Sequence, residues 1–137
     1  MIRTMRGRID GLETKQIVVD DGNINRAYKV KEFRVFPTSV AGSRDVEATL
    51  ALDYDAGASW DASDNRQIGW AAMTTTNTTR IMEFSIIDPD HVVVRDLYVK
   101  ANTDDPGNYL IVLEAITISD DQAVLQILKE RSQDDFR

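Results

Sequence analysis

Apolar and polar residues alternate with a period of two over most of this chain, the pattern of strands that bury one face. Residues 16–19 and 24–30 are two such runs, and Asp20-Asp21-Gly22-Asn23 lies between them. An Asp-Gly pair between apolar runs predicts a tight β-hairpin, because both central residues must tolerate positive φ. Beyond Tyr28 the apolar side of the pattern changes near Glu32. That predicts a bulge, or a strand passing from one sheet to another. Pro37 ends this strand, and residues 38–44 read as a loop.

Further strands are predicted at 46–54, 67–74, 80–87, 92–100 and 109–116. The connections between them carry turn chemistry. Residues 55–65 are small and polar, Thr75-Thr76-Asn77-Thr78-Thr79 is a polar link, and Asp88-Pro89-Asp90 fixes φ at its centre. One helix is predicted, at about 120–132. Ser119 and Gln122 have the spacing of a capping box. Asp120 and Asp121 then sit in the first turn and Lys129 and Arg131 near the last, each matching the helix dipole. Val124, Ile127 and Leu128 form its apolar stripe. The sum is an all-β domain spanning residues 1–137, of about eight strands with one short C-terminal helix. Turn signals every 8–12 residues point to a β-sandwich, with a jelly roll as one form of it and a barrel as the alternative.

Composition narrows the chemistry. The chain has 137 residues, enough for one ordinary domain, and needs no staple to fold. It contains no cysteine, which excludes disulfides, thiolate metal sites and a cysteine nucleophile. The net charge is −7, unevenly spread: residues 1–34 sum to +3 and the rest to −10. Such asymmetry can steer contact between copies of one chain. The three arginines Arg3, Arg6 and Arg8 are too few to argue for direct nucleic-acid binding. No run approaches the roughly 18 apolar residues of a membrane span, and no apolar h-region follows Met1. The expectation is therefore a cytoplasmic protein that contacts no membrane.

Candidate chemistry is sparse. His91 is the single histidine, expected to face water in its turn, and one histidine cannot build a multi-histidine metal site. No nucleophile elbow or phosphate-binding glycine loop is present, so no catalytic residue or cofactor is expected. Asp53, Asp55, Asp61 and Asp64 are similar in outline to a calcium loop. The register fails, because the EF-hand positions five, six and twelve fall on Gly57, Ala58 and Asp64. No metal site is expected from them. Asn77-Thr78-Thr79 fits a glycosylation sequon, which carries no weight without a secretory signal. The stronger signal is aromatic. Trp60 sits in the polar loop, where it plugs a sheet edge or anchors a contact, and Trp70 is expected in the core. Trp60 with Asp53, Asp55, Asp61 and Asp64 is the candidate ligand or interface surface.

In general character the chain resembles virion structural proteins of tailed bacteriophages, such as small head, decoration or head-to-tail components. The features that carry the resemblance are a cysteine-free acidic β-domain and the threonine- and aspartate-rich loops at 53–65, 74–79 and 102–108. A further one is the ending, from Asp96-Leu97-Tyr98-Val99 and Tyr109-Leu110-Ile111-Val112-Leu113-Glu114 to Lys129-Glu130-Arg131-Ser132-Gln133-Asp134. The resemblance implies a non-enzymatic assembly protein that packs against copies of itself or other virion proteins, in a homo-oligomer located in the virion. The alternative reading is a carbohydrate-binding or other ligand-binding β-sandwich module.

Overall fold

A computed structural model describes residues 1–20, 22, 26–77 and 80–117. The predicted helix at 120–132 lies outside the described residues. Eight strands form two antiparallel sheets: β1 (Ile2–Ile9), β2 (Thr14–Val18), β3 (Arg26–Pro37), β4 (Arg44–Ala51), β5 (Gln67–Thr75), β6 (Ile81–Ile87), β7 (Asp96–Ala101) and β8 (Gly107–Thr117). One sheet has the order β1-β8-β3 and the other β2-β7-β4-β5-β6. The β-sandwich expected from the sequence is the architecture found.

The pairing is nested. A jelly roll folds an eight-stranded ribbon in half, so that first pairs with last, second with seventh, third with sixth and fourth with fifth. Here β1 pairs β8, β2 pairs β7 and β4 pairs β5. The third-with-sixth pair departs from the scheme, because β6 stays on β5 in the five-stranded sheet. Two side-chain links replace the missing ladder: Ser85 Oγ donates to the Phe33 carbonyl at 2.6 Å, and Arg34 grips Glu83 with Nε and Nη2 at 2.6 and 2.8 Å.

Between the sheets lies one apolar core. Its largest fully buried side chains are Tyr28, Phe33, Ile9, Leu50, Ile68, Leu97, Ile111 and Leu113. The inward row of β8 is Tyr109, Ile111 and Leu113, and the outward Leu110 and Val112 are half-buried, so the strand reads as nearly continuous apolar sequence. Gly69 of β5 lets the Phe33 ring approach the backbone, since a Cβ there would stand 3.2 Å from it. At roughly 1.5–3 kcal/mol per fully buried large apolar side chain, this row-on-row packing dominates the fold's stability.

Three sequence expectations are corrected. The turn at 20–23 does not close a hairpin, because β2 pairs β7 while β3 pairs β8 in the other sheet. Gly22 does adopt φ of +85° and its N–H bonds Asp20 Oδ1 at 2.8 Å, so the turn chemistry was legible. The turn instead carries the chain across the sandwich, with the N–H groups of Val19 and Asp20 both bonding the Arg95 carbonyl. The strand expected at 92–100 begins only at Asp96; Val93 makes an isolated bridge to Tyr28. Strand β1 was missed. Its inward row is Arg3, Met5, Gly7 and Ile9, too polar to read as a buried face. Arg3 is admitted because Nη1 bonds Val19 O at 3.1 Å and Tyr28 Oη at 2.9 Å. The bulge expected near Glu32 is present, as a register shift between Val30 and Glu32.

Candidate functional site

The five-stranded sheet overhangs the three-stranded one, and β6 is the overhang. Every residue of β6 is exposed except Ile87, which is half-buried. Its outer face carries Met82, Phe84 and Ile86, opposite Thr74, Ala72 and Trp70 of β5. This apolar row points away from the three-stranded sheet and meets water, with Met82 at 72% exposure and Phe84 at 43%.

The loop after β4 builds the rest of this face. Gln67 organises it through four hydrogen bonds. Its Nε2 donates to the carbonyls of Gly57 and Ser59, both at 2.9 Å, and its Oε1 accepts from Asp61 N at 2.9 Å and Trp70 Nε1 at 2.8 Å. Thr49 Oγ1 adds a bond to Ala58 O at 2.7 Å. The result presses Trp60 onto the sheet: Nε1 donates to Ala48 O at 3.2 Å, and the ring stacks on Phe84 at 5.3 Å between centroids. Trp60 is both a plug and an exposed surface, at 39% exposure. Trp70 is a correction. It lies half-buried on this outer face, outside the core in which it was expected. Trp60, Trp70, Phe84, Ile86 and Ala62 together line a shallow apolar depression of about 330 Å³.

The four candidate acids do not join Trp60. None of them lines that depression. Asp64 is buried and grips Arg66 through Nε at 3.2 Å and Nη2 at 3.3 Å, while Arg66 Nη1 lies 3.8 Å from Asp53. Asp53 Oδ1 accepts the Asp55 N–H at 3.0 Å, and Asp61 Oδ1 accepts from Ser63 N and Oγ. Lys100, nearly buried, bonds the Tyr54 carbonyl and sits over the Tyr54 ring at 4.9 Å. Burial lowers its pKa, while the charges of Asp53 and Asp55 oppose that shift. Asp53, Asp55 and Asp64 thus lie near the Arg66 guanidinium or the Lys100 ammonium, while Asp61 braces its own turn through Ser63. Among the described residues no cluster of three metal-ligating groups forms.

His91 is the second correction, since it does not face water. It is 8% exposed; Nε2 accepts the Val30 N–H at 2.9 Å, and Nδ1 bonds the Asp88 carbonyl. The ring clamps the end of β3 before its bulge to the turn after β6. Burial lowers its pKa, against the opposing pull of the Asp88 carbonyl and carboxylate. It borders a polar cleft of about 300 Å³ that Asp64, Asp88, Asp90 and Trp70 also line. With both nitrogens engaged, it is a structural tie. Gln67 and His91 had no sequence signal beyond their identity, since their roles depend on backbone groups distant along the chain.

Among the described residues no helix is long and apolar enough to cross a membrane. No protein-family model matches the chain, and no curated protein or solved structure matches it significantly.

Proposed function

We propose that this protein is a non-enzymatic assembly component that works by associating with copies of itself, as a virion structural protein of the tailed-bacteriophage type would. The observation that carries this reading is the aromatic and aliphatic face of Trp60, Met82, Phe84 and Ile86, exposed beside a strand edge that no described strand pairs. Contiguous apolar surface of this kind marks contact sites, because a monomer gains nothing by leaving it wet. Trp60 suits an anchor: it is rigid, already seated by its bond to Ala48, and large enough to dominate a contact. In the polar cleft, both nitrogens of His91 and the carboxylate of Asp64 are engaged internally.

The test is the mass of the purified protein by light scattering across a wide concentration range, with mass spectrometry of purified phage particles for the virion assignment. A discrete oligomer that Trp60→Ala weakens supports the reading. A monomer at every concentration removes self-association as its mechanism. The carbohydrate-binding alternative rests on the same exposed Trp60 ring, and retention on a glycan array abolished by Trp60→Ala would favour it instead.

A further inference from the structure

Among the described residues the sandwich has four edge strands, and three of them are guarded. Lys or Arg on an edge discourages pairing with another chain. Edge β1 carries Arg3, Arg6 and Arg8, edge β2 carries Lys15, and edge β3 carries Lys29, Lys31, Arg34 and a terminal Pro37. Edge β6 reads Ile-Met-Glu-Phe-Ser-Ile-Ile, with no Lys, Arg or Pro. Its single charge, Glu83, is already held by Arg34 at 2.6 Å.

Hydrogen-bond direction fixes what this edge offers. Asp88 N donates to Ile68 O at 2.8 Å, and Arg80 O accepts from Thr76 N at 3.0 Å. Strand residues alternate in the side to which their backbone groups point. Met82, Phe84 and Ile86 therefore bond β5, and the N–H and C=O groups of Ile81, Glu83, Ser85 and Ile87 point outward. A partner strand would find four residues' worth of backbone groups in register for pairing.

The geometry points to a second copy of this chain as that partner, its β6 antiparallel to the first about a two-fold axis at Phe84. The inference rests on the self-association reading above and names its interface. Three two-fold registers keep the outward residues paired. Centring on Glu83 sets two carboxylates directly opposite, a destabilising like-charge pair. Centring on Ser85 carries Met82 past the strand to face Asp88. Centring on Phe84 pairs all seven residues of β6. Glu83 then faces Ser85 of the second copy, Met82 faces Ile86, Ile81 faces Ile87, and Phe84 faces Phe84. Apolar residues then face apolar ones and the two carboxylates are kept apart, as a self-complementary two-fold contact requires. The two sheets would join into one of ten strands, with the Trp60–Phe84 stacks adjoining across the axis.

Phe84 would occupy a non-hydrogen-bonded pair, where opposed Cα atoms lie about 4.5 Å apart. That separation suits a disulfide, and the chain has no cysteine of its own. Full-length Phe84→Cys under mild oxidation is expected to form a covalent dimer. Met82→Cys and Ile86→Cys are expected to cross-link when mixed and not alone. Met82→Lys, at an exposed position, should raise the concentration for half-dimerisation at least tenfold and leave the monomer's unfolding midpoint unchanged. An oligomer with no cross-link at Phe84, and indifferent to Met82→Lys, overturns the β6 interface while leaving self-association standing. A monomer at all concentrations overturns both. A monomer whose Glu83 and Ser85 amides are protected from hydrogen exchange does so too, and assigns the edge to another part of the same chain.

Discussion

Strands β3 and β6 meet at the same open corner of the sandwich, and both are edges, yet they treat water in opposite ways. On β3 the apolar residues Val30, Phe33 and Val35 are buried, while Lys31, Arg34 and, at the strand's end, Phe36 meet solvent. On β6 the apolar residues Met82, Phe84 and Ile86 are the exposed row. Nothing in the two patterns distinguishes them as strands, since both alternate. The difference lies in which face carries the apolar row: on β3 it points into the core, and on β6 it lies on the outer face of the five-stranded sheet, away from the three-stranded one. An apolar row on that face is informative because, among the described residues, it takes no part in the core.

The sharpest way to break this comparison is to truncate the two phenylalanines. Phe33 is fully buried and packs on Gly69 and Leu50, so Phe33→Ala should cost about 3–5 kcal/mol. Phe84→Ala removes one ring stack on Trp60 and little packing, and should cost about 1 kcal/mol in dilute monomer. Denaturant unfolding at low protein concentration measures both. Equal costs would mean that Phe84 is covered after all.

The next largest effect concerns the tie between the two strands' ends. His91→Ala leaves the Val30 N–H buried without a partner, a loss of about 1–3 kcal/mol. The same residue sets a pH dependence. Burial makes the folded state favour neutral imidazole, so its pKa falls below the ordinary 6.5, with Lys29 adding to the shift and Asp88 and Asp90 opposing it. The unfolded chain takes up the proton first. The stabilisation is therefore complete above about pH 6.5 and is lost as pH falls from there toward the folded value, by at most about 1.4 kcal/mol per pH unit. Unfolding free energy measured between pH 7 and 5 should decline in the wild type. In His91→Gln, which does not titrate, that decline should disappear.

These contrasts also explain how much could be read in advance. Strands β4, β5 and β6 were legible from alternation between polar links, and β8 as an apolar run that follows the Asp105-Pro106-Gly107 turn. The bulge beside Lys31 was visible as a break in that alternation. Strand β1 was not, because its inward Arg3 is satisfied by Val19 and Tyr28, partners that only the fold supplies. The turn at Gly22 signalled a reversal and could not say which sheet received the next strand. Trp60 lies partly exposed on the outer face. The acids named with it do not line its depression, because charge along a loop says nothing about the Arg66 and Lys100 side chains that meet Asp53, Asp55 and Asp64. Trp70 and His91 were misassigned to each other's environments by the same rule of thumb, that indole goes inside and a turn imidazole outside.

The smallest effects sharpen the comparison at the corner itself. Ser85→Ala removes the bond to the Phe33 carbonyl and should cost about 1 kcal/mol, the net worth of one part-buried hydrogen bond. Arg34→Ala breaks the grip on Glu83, a pair whose side chains are 47% and 31% exposed. Such a pair contributes under about 1 kcal/mol and is screened by salt. Its hydrogen bond holds the Glu83 carboxyl below the ordinary carboxylate range, so the contribution is present above about pH 4.5 and fades as pH falls through the depressed value. Arg34→Ala should therefore matter less at 1 M salt than at low salt, while Ser85→Ala should be indifferent to salt. If the two respond alike, β6 is held to β3 by something other than these two links, and the corner is less open than the exposed row of β6 implies.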